Sequence, residues 1–472
     1  MADTDDTAGA EAASTRTLLS GVGGAAAAGA NLLGNSATPR ATRIRRGVRS
    51  ELPAYLFVQS TWFMAFGLQI VIFPYLITSP NHLNLGGTEL GLANLALSAP
   101  SLVFLLIGGV VAERAAGKPL LMLLHLLAGV PAAGLAVALA TDSLLYGYMI
   151  AYGFALGMVG AFMMPARDSI LNEVVARRMR IGSGVTLQQG VALATLVQFA
   201  AQIAGLILGG YADKATRMPD FLGGFEIGPI LSWRLLALQA VILCMGTVFA
   251  LFLARGRKVR TGRQGAGAAF GDIAEGFRVV RGDPLLYGMT ILMFGVGVFV
   301  IGSFLVVLPI INRDVYGFGS DGIRDMFVTF WIGAFLSSVA MSVIRNIARP
   351  GLLLLCSQGI GSAIITGFLF DIPHWFFLTV VFIGGLAAGV SITMSRAIVQ
   401  DAAPKDQLAR VLSFYQLGFM AGTPIGAAIM GGLTDAFGHK RVAIVAVTGM
   451  ALVLGWIILR TPIWAMKNHR PA

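Results

Sequence analysis

The chain has 472 residues, of which 56% are apolar and only 12% are charged, and its mean hydropathy is +0.78. A soluble protein of this length needs a polar exterior, so this composition excludes a water-soluble globular fold and favours a protein that spans a lipid bilayer. The net charge of +11 is accompanied by no nucleic-acid-binding motif, and two cysteines are too few for a disulfide framework or a zinc site. We therefore expect no nucleic-acid partner, no metal and no cofactor.

The first 50 residues differ from the rest of the chain. The start, MADTDD, is acidic, which argues against a signal peptide, and residues 18–34 are too rich in Gly and Ala for a clear membrane span. Five arginines follow: Arg40, Arg43, Arg45, Arg46 and Arg49. We predict that residues 1–50 form a disordered cytoplasmic tail whose arginine cluster contacts lipid headgroups. A regulatory partner site is the alternative.

Twelve apolar runs follow in chain order. They cover residues 53–77, 88–112, 118–140, 144–166, 183–211, 231–254, 285–311, 324–345, 350–370, 374–398, 409–434 and 441–464. Backbone polar groups need partners in lipid, so each run predicts a transmembrane helix, and the alternation that a membrane barrel requires is absent from the sequence.

The longest break between the runs, 255–284, is basic and ends in a stretch with the spacing of an amphipathic surface helix. It divides the chain into two units, 51–254 and 285–464, which a short tail, 465–472, follows. Of the 34 Lys and Arg residues, 27 fall on the side of the N-terminus if every run crosses the membrane. Since positive charge accumulates in the cytoplasm, both termini are predicted to be cytoplasmic.

The two units resemble each other. Residues 167–188 are similar to residues 395–416, and the residues around Arg114 are similar to those around Arg345, at nearly the same offset. We therefore predict an all-α polytopic fold with twelve transmembrane helices in two pseudo-symmetric six-helix bundles. A fainter similarity links 109–118, 209–214 and 431–440, which end runs on opposite membrane faces. It indicates either inverted three-helix repeats or similar helix-end chemistry.

Three segments, 109–118, 165–180 and 410–440, resemble segments of the major facilitator superfamily, in particular of the bacterial transmembrane secretion effectors, which export drugs and siderophores. The resemblance covers about residues 53–464. It implies a monomeric transporter of the bacterial inner membrane, without enzymatic activity or catalytic residues. Three features depart from the pattern: Glu113 stands where the family has Asp, the family has one residue fewer between Arg114 and Gly117, and the glycine-proline pair of the fifth helix is not intact in 200–210. The last departure weakens the inference of drug/proton antiport.

Charged and small residues at helix ends near the cytoplasmic face form a candidate latch. They are Gly109, Glu113, Arg114, Gly117, Lys118, Arg167, Asp168 and Arg396. A carboxylate there can pair with a cation and with the N-terminus of a neighbouring helix. The family resemblance implies that such a cluster holds the two halves closed on the cytoplasmic side. Ordinary interfacial charges that fix loop geometry are the alternative.

The predicted spans contain no Asp, Glu, Lys or Arg at mid-membrane depth, and His125 is their one ionisable candidate. It could carry a coupling proton, or it is a core histidine bonded across helices. Uncharged polar side chains either join helices or line a cavity between the bundles. The predicted cavity residues are Gln59, Phe63, His125, Gln202, Gln416 and Thr423.

A cavity of amides and aromatic rings suits a small neutral or amphipathic substrate. The main hypothesis is therefore a secondary transporter that works by alternating access and exports a drug-like compound or a siderophore. An importer or lipid flippase on the same fold is one alternative, because the fold fixes neither direction nor substrate. A non-transporting membrane scaffold or assembly factor is another.

Overall fold

A computed structural model of the chain describes residues 39–114, 116–180, 187–213, 216–217, 226–227, 230–254, 277–344, 347–370, 372–404 and 408–466. Residues 1–38 of the predicted tail, residues 255–276 of the predicted linker and residues 467–472 lie outside this part of the chain. The end of the linker, residues 277–282, is helical.

The described chain is built almost entirely of helices. Those of the first bundle are α1 (Pro39–Thr78), α2 (Gly87–Arg114), α3 (Gly117–Ala140), α4 (Tyr146–Arg180), α5 (Leu187–Gly209) and α6 (Ser232–Ala250). Those of the second bundle are α7 (Pro284–Asp314), α8 (Ser320–Val343), α9 (Pro350–Ile364), α10 (His374–Ala402) and the continuous element Leu408–Arg460. Gly438, at φ 78° and ψ 158°, interrupts this last element and divides it into α11 and α12.

The helices fit the twelve predicted spans. Ten described helical elements are long and apolar enough to cross a membrane. One of the ten is the element that Gly438 divides, and α2 adds a further helix of 28 residues. Two helices are longer than expected. α1 begins at Pro39, inside the segment predicted to be a disordered tail, and α4 continues to Arg180, with basic residues in its last turn that favour the helix C-terminus.

Helix pairing is the same in both bundles. In the first bundle α1 packs on α5, α2 on α4, and α3 on α6. In the second bundle α7 packs on α11, α8 on α10, and α9 on the element that contains α12. A shift of six helices converts one set into the other, which is the packing of two pseudo-symmetric six-helix bundles. The bundles meet along two seams, α2 against α11 and α5 against α8.

Local sequence explains several helix ends. α7 begins after Asp283, whose carboxylate accepts hydrogen bonds from the backbone N–H groups of Leu285 and Leu286, and Pro284 occupies the first helical position. The α5–α6 loop contains a two-residue antiparallel strand pair, Thr216–Arg217 with Glu226–Ile227. This loop lies on the face opposite the start of α1 and the end of α12. That face is termed the distal face, and the other is termed the terminal face.

Candidate functional site

A cavity of about 600 Å³ lies between the two bundles. Its walls come from α1, α2, α4, α5 and α6 on one side and from α7 to α11 on the other. None of the described residues that line it is charged. The polar lining residues are Gln69, Asn94, Ser98, Ser101, Gln198, Gln202, Gln239, Ser357, Gln358, Ser391 and Thr423. The cavity can therefore hold a ligand by apolar contact and by a few hydrogen bonds.

Aromatic rings form much of the apolar wall. Trp62 and Phe63 project from α1, and a cluster of Phe304, Phe330 and Trp331 faces them from the second bundle. In this cluster the rings of Phe304 and Phe330 are 4.5 Å apart between centroids, and those of Phe330 and Trp331 are 5.8 Å apart at 86°. Such mutual packing holds the rings in place, so they form a rigid surface for a planar apolar ligand.

A π-helical segment, Val296–Ile301, interrupts α7 beside the cavity. Its backbone lies close to α11, where a Cβ added at Gly297 would come within 2.8 Å of the carbonyl oxygen of Phe419. π-Helical turns are rare and frequently occur at functional sites. Val296, Val300 and Ile301 of this segment line the cavity.

The sequence-predicted cavity residues divide into two groups. Phe63, Gln202 and Thr423 line the cavity. Gln59 does not, because it is buried between α1 and α5, where its Nε2 donates to the carbonyl oxygen of Ala194. Gln416 is also off the cavity wall and is exposed on α11.

His125 lies inside the first bundle, away from the cavity. It is fully buried, and its Nδ1 is 2.8 Å from the carbonyl oxygen of Leu121 while its Nε2 is 3.3 Å from that of Val58. Its ring packs at 79° to that of Trp62, with the ring centroids 6.1 Å apart, and Trp62 does line the cavity. The imidazole therefore links α3 to α1, and this geometry matches the core-histidine alternative.

The two bundles are joined by hydrogen bonds at the distal face. The carboxylate of Asp435, at the end of α11, accepts from the backbone N–H groups of Gly87 at 2.7 Å and Thr88 at 2.6 Å. These groups are the first N–H donors of α2, which have no partner within their own helix. A negative charge from the second bundle thus caps a helix of the first bundle and complements its dipole.

A cation joins the two bundles beside this seam. Arg313, at the end of α7, donates from Nη1 to the carbonyl oxygens of Thr78 at 3.1 Å and Leu85 at 2.9 Å, at the end of α1 and in the loop that follows. At the other seam, the hydroxyl of Ser320 donates to the carbonyl oxygens of Gly210 and Ala212 after α5. The distal face is therefore closed by polar contacts on both seams.

Close backbone packing accompanies these hydrogen bonds. A Cβ added at Gly431 of α11 would collide with the carbonyl oxygen of Gly87, and one at Gly91 of α2 would collide with that of Ala427. Only glycine allows the two helices to approach so closely at these positions.

A second acidic side chain, Asp213, organises the distal face within the first bundle. It accepts from the backbone N–H of Ser232 at 2.8 Å, which is the N-terminus of α6, and its Oδ2 lies 2.8 Å from Nε2 of His82. Burial raises the pKa of Asp213, but hydrogen bonds from His82 and Ser232 outweigh burial and hold the pKa below its ordinary value. Asp213 and Asp435 belong to the two similar sequence segments that end α5 and α11, and each caps the N-terminus of another helix.

The sequence profile of the Major Facilitator Superfamily matches residues 55–427 and again 346–470. The chain belongs to the major facilitator superfamily. Among curated relatives, the enterobactin exporter EntS of Escherichia coli K12 is 26% identical over 201 residues. That match covers 42% of this chain and 47% of EntS, so it spans about half the length of the relative.

Solved structures of major facilitator transporters share the fold of this chain. The nucleoside transporter NupG has a TM-score of 0.63 at 12% identity, and 88% of this chain and 98% of NupG are covered. A bacterial homologue of the human lysosomal transporter Spinster, in an inward-facing and unoccupied conformation, has a TM-score of 0.64 at 13% identity over 93% of this chain and 100% of its own. At these identities the likeness establishes the fold alone.

The residues of the predicted superfamily latch lie toward the terminal face. Gly109, Glu113 and Arg114 fall at the end of α2, and their side chains are outside the part that the structure describes. Gly117 packs on Ile170, and Lys118 donates to the carbonyl oxygen of Leu251.

The other three latch residues are Arg167 and Asp168 on α4 and Arg396 on α10. Arg167 donates from Nη2 to Asp168 at 3.3 Å, and its guanidinium lies 4.8 Å from the ring centroid of Phe63. Arg396 is exposed on α10. Arg167 and Asp168 belong to the first bundle and Arg396 to the second, and no described contact joins them. The latch as a bridge between the bundles stays a prediction.

Sequence reasoning did not single out several features of the site. These features include the aromatic cluster of α7 and α8 and the pair Gln358 and Ser391. Apolar spans commonly contain such residues, and only the packing of the helices shows that these ones line the cavity. The distal capping by Asp435 had a weak signal, because the segment that contains it resembles the loop motif at 109–118.

Proposed function

We propose that this chain is a secondary transporter that exports a small amphipathic compound across a bacterial inner membrane by alternating access. The observation that carries the proposal is a cavity of about 600 Å³, whose described lining residues are uncharged, between two bundles that contact each other at the distal face. A single site between two bundles that rock is how transporters with internal repeats move substrate. We take the unit of transport to be the monomer, since the cavity is built within one chain.

The distribution of positive charge supports the orientation. With 27 of the 34 Lys and Arg residues on the terminal side, that face is cytoplasmic and the distal face is periplasmic. The distal contacts would then hold the conformation that is shut to the outside. The superfamily latch near Glu113 would hold the opposite conformation, and exchange between the two sets of contacts would move the substrate.

The direction of transport is supported by the relative EntS, which is an exporter of enterobactin. The chemistry of the cavity supports an amphipathic cargo, because its wall is aromatic and aliphatic with scattered amides and hydroxyls. A highly charged cargo would lose its hydration there without finding a counter-charge.

Flux into inverted membrane vesicles tests the proposal. Vesicles that contain the chain should accumulate the uncharged amphipathic dye Nile red faster than vesicles without it. If a proton drives transport, collapse of the proton gradient should abolish this difference in rate. A matched control carries Thr423→Phe, which fills the cavity from α11. No difference from empty vesicles across a panel of neutral amphipathic dyes would favour the scaffold alternative, and uptake only in right-side-out vesicles would favour import.

A further inference from the structure

The amides on the cavity wall differ in one respect, namely whether their N–H groups have partners. Gln239 donates to the carbonyl oxygen of Ala65 at 3.1 Å and accepts from the hydroxyl of Tyr152. Gln358 donates to the hydroxyl of Ser391 at 2.6 Å, and Asn94 donates to the carbonyl oxygen of Leu90. Each of these three amides therefore has a structural task within its own bundle.

Gln202 on α5 differs from these three amides. Its side chain is 1% exposed and borders the cavity, and its Nε2 is buried without a hydrogen-bond partner among the described residues. Buried amide donors almost always have a partner, and one that has none destabilises the state in which it is left. A ligand that offers an acceptor to this nitrogen would remove that penalty.

The surroundings restrict which ligand can do so. Phe330 and Trp331 also line the cavity, on α8, the helix that packs on α5, and the ring centroid of Trp331 lies 5.8 Å from that of Phe199 on α5. None of the described lining residues carries a charge that could neutralise an ionised group. The terminal torsion of glutamine is broad, so the amide of Gln202 can turn toward a ligand in the cavity.

We propose that the cavity recognises an uncharged aromatic ligand that bears a carbonyl or ether oxygen, and that Gln202 Nε2 donates a hydrogen bond to this oxygen. The inference rests on the proposed transport function, which it deepens by naming the ligand class and the residue that selects it. Gln202 is a specificity-determining residue. A site built around a buried donor discriminates against a ligand that lacks the acceptor, because that ligand leaves the donor unpaired.

Three pyrene derivatives test the proposal by equilibrium binding to the purified full-length chain. Acetylpyrene carries a carbonyl oxygen, ethylpyrene has nearly the same shape without an acceptor, and pyrenecarboxylate is an anion. Binding is followed by quenching of tryptophan fluorescence, since Trp62 and Trp331 line the cavity. The partition of each compound into protein-free micelles of the same detergent is measured, and each affinity is corrected for it, so that both compounds and variants can be compared.

The wild-type chain should bind acetylpyrene about tenfold more tightly than ethylpyrene, which is the effect of one additional hydrogen bond to a buried donor. Gln202→Met, which keeps the volume and removes the donor, should abolish this preference by weakening acetylpyrene binding alone. Because the variant no longer buries an unpaired amide, its thermal stability should not fall. Gln416→Met, the same change at an exposed position off the cavity wall, should keep the wild-type preference.

The inference would be overturned by equal binding of acetylpyrene and ethylpyrene by the wild type, by a preference that survives in Gln202→Met, or by binding of pyrenecarboxylate as tight as that of acetylpyrene. Absence of saturable binding by all three compounds would overturn it as well. The vesicle flux measurement stands apart from these results, so the transport proposal can hold when the ligand assignment fails.

Discussion

Removal of the charge at Asp435 should open the distal face. Asp435→Asn keeps the size of the side chain but leaves one acceptor oxygen where the carboxylate presents two, to N–H groups at 2.7 and 2.6 Å. It also removes the negative charge that faces the N-terminus of α2. Asp435 is exposed, so water screens part of the interaction. The closed distal state should lose about 1–2 kcal/mol, which changes the closed-to-open ratio roughly 5–30-fold.

Spin labels on the distal face measure this change. Leu145, at the start of α4, and Phe370, before α10, are exposed and lie on different bundles, so cysteines at these two positions report the separation of the bundles. The native cysteines, Cys244 and Cys356, are free and exposed and are replaced by serine. In Asp435→Asn the distance distribution should gain a longer component.

The matched control acts on the same helix end without crossing between the bundles. Glu89 accepts from the backbone N–H of Gly86 at 3.1 Å, inside the first bundle. Glu89→Gln should therefore leave the distance distribution as it is in the wild type. If Asp435→Asn gives a distribution that superimposes on that of the wild type, the Asp435 contact does not hold this conformation and the reasoning is wrong.

Three further predictions concern packing, stability and the terminal face. Gly431→Leu should prevent distal closure, because its side chain meets the backbone of Gly87; the same spin labels should show only the longer distances, and vesicle flux should be lost. Asp213→Asn should lower the free energy of unfolding by about 1–3 kcal/mol, measured by thermal or denaturant unfolding at neutral pH. The pKa of Asp213 is depressed in the folded chain, so the stabilisation by its carboxylate is complete above the ordinary pKa of 3.8 and is lost as the pH falls through the folded pKa. The unfolding free energies of wild type and variant should therefore converge at acidic pH. Glu113→Ala should reduce flux more than it reduces stability, and normal flux in that variant would remove the latch hypothesis.

Much of the fold follows from the sequence because the bilayer imposes a simple rule. Any apolar run of about 20 residues must be a helix, since lipid leaves no other partner for its backbone. Composition and spacing therefore identify the helices, and the similarity of 167–188 to 395–416 indicates two copies of one bundle. Helix ends are less determined, because polar turns can continue beyond the membrane. α4 extends from the predicted end at 166 to Arg180 for this reason.

The candidate site could be predicted only in part. Gln59 and Gln202 are both glutamines in apolar spans, and nothing in either run tells which of them faces a neighbouring helix and which faces the cavity. Packing decides, since Gln59 meets the backbone of Ala194 while Gln202 borders open space. His125 is a similar case, because its two carbonyl neighbours come from different helices.

The sequence by itself determined that this chain spans a membrane, that its spans are helices and that its two halves are related. Hydropathy and internal repeats are properties of the sequence and need no tertiary structure. Only the tertiary structure decided which polar groups meet. The contact between Asp435 and the first residues of α2 joins positions almost 350 residues apart, and it exists because α11 and α2 cross at glycines. Every span is apolar on several sides, so no periodicity within one helix reveals the face that will meet another helix, lipid or the cavity.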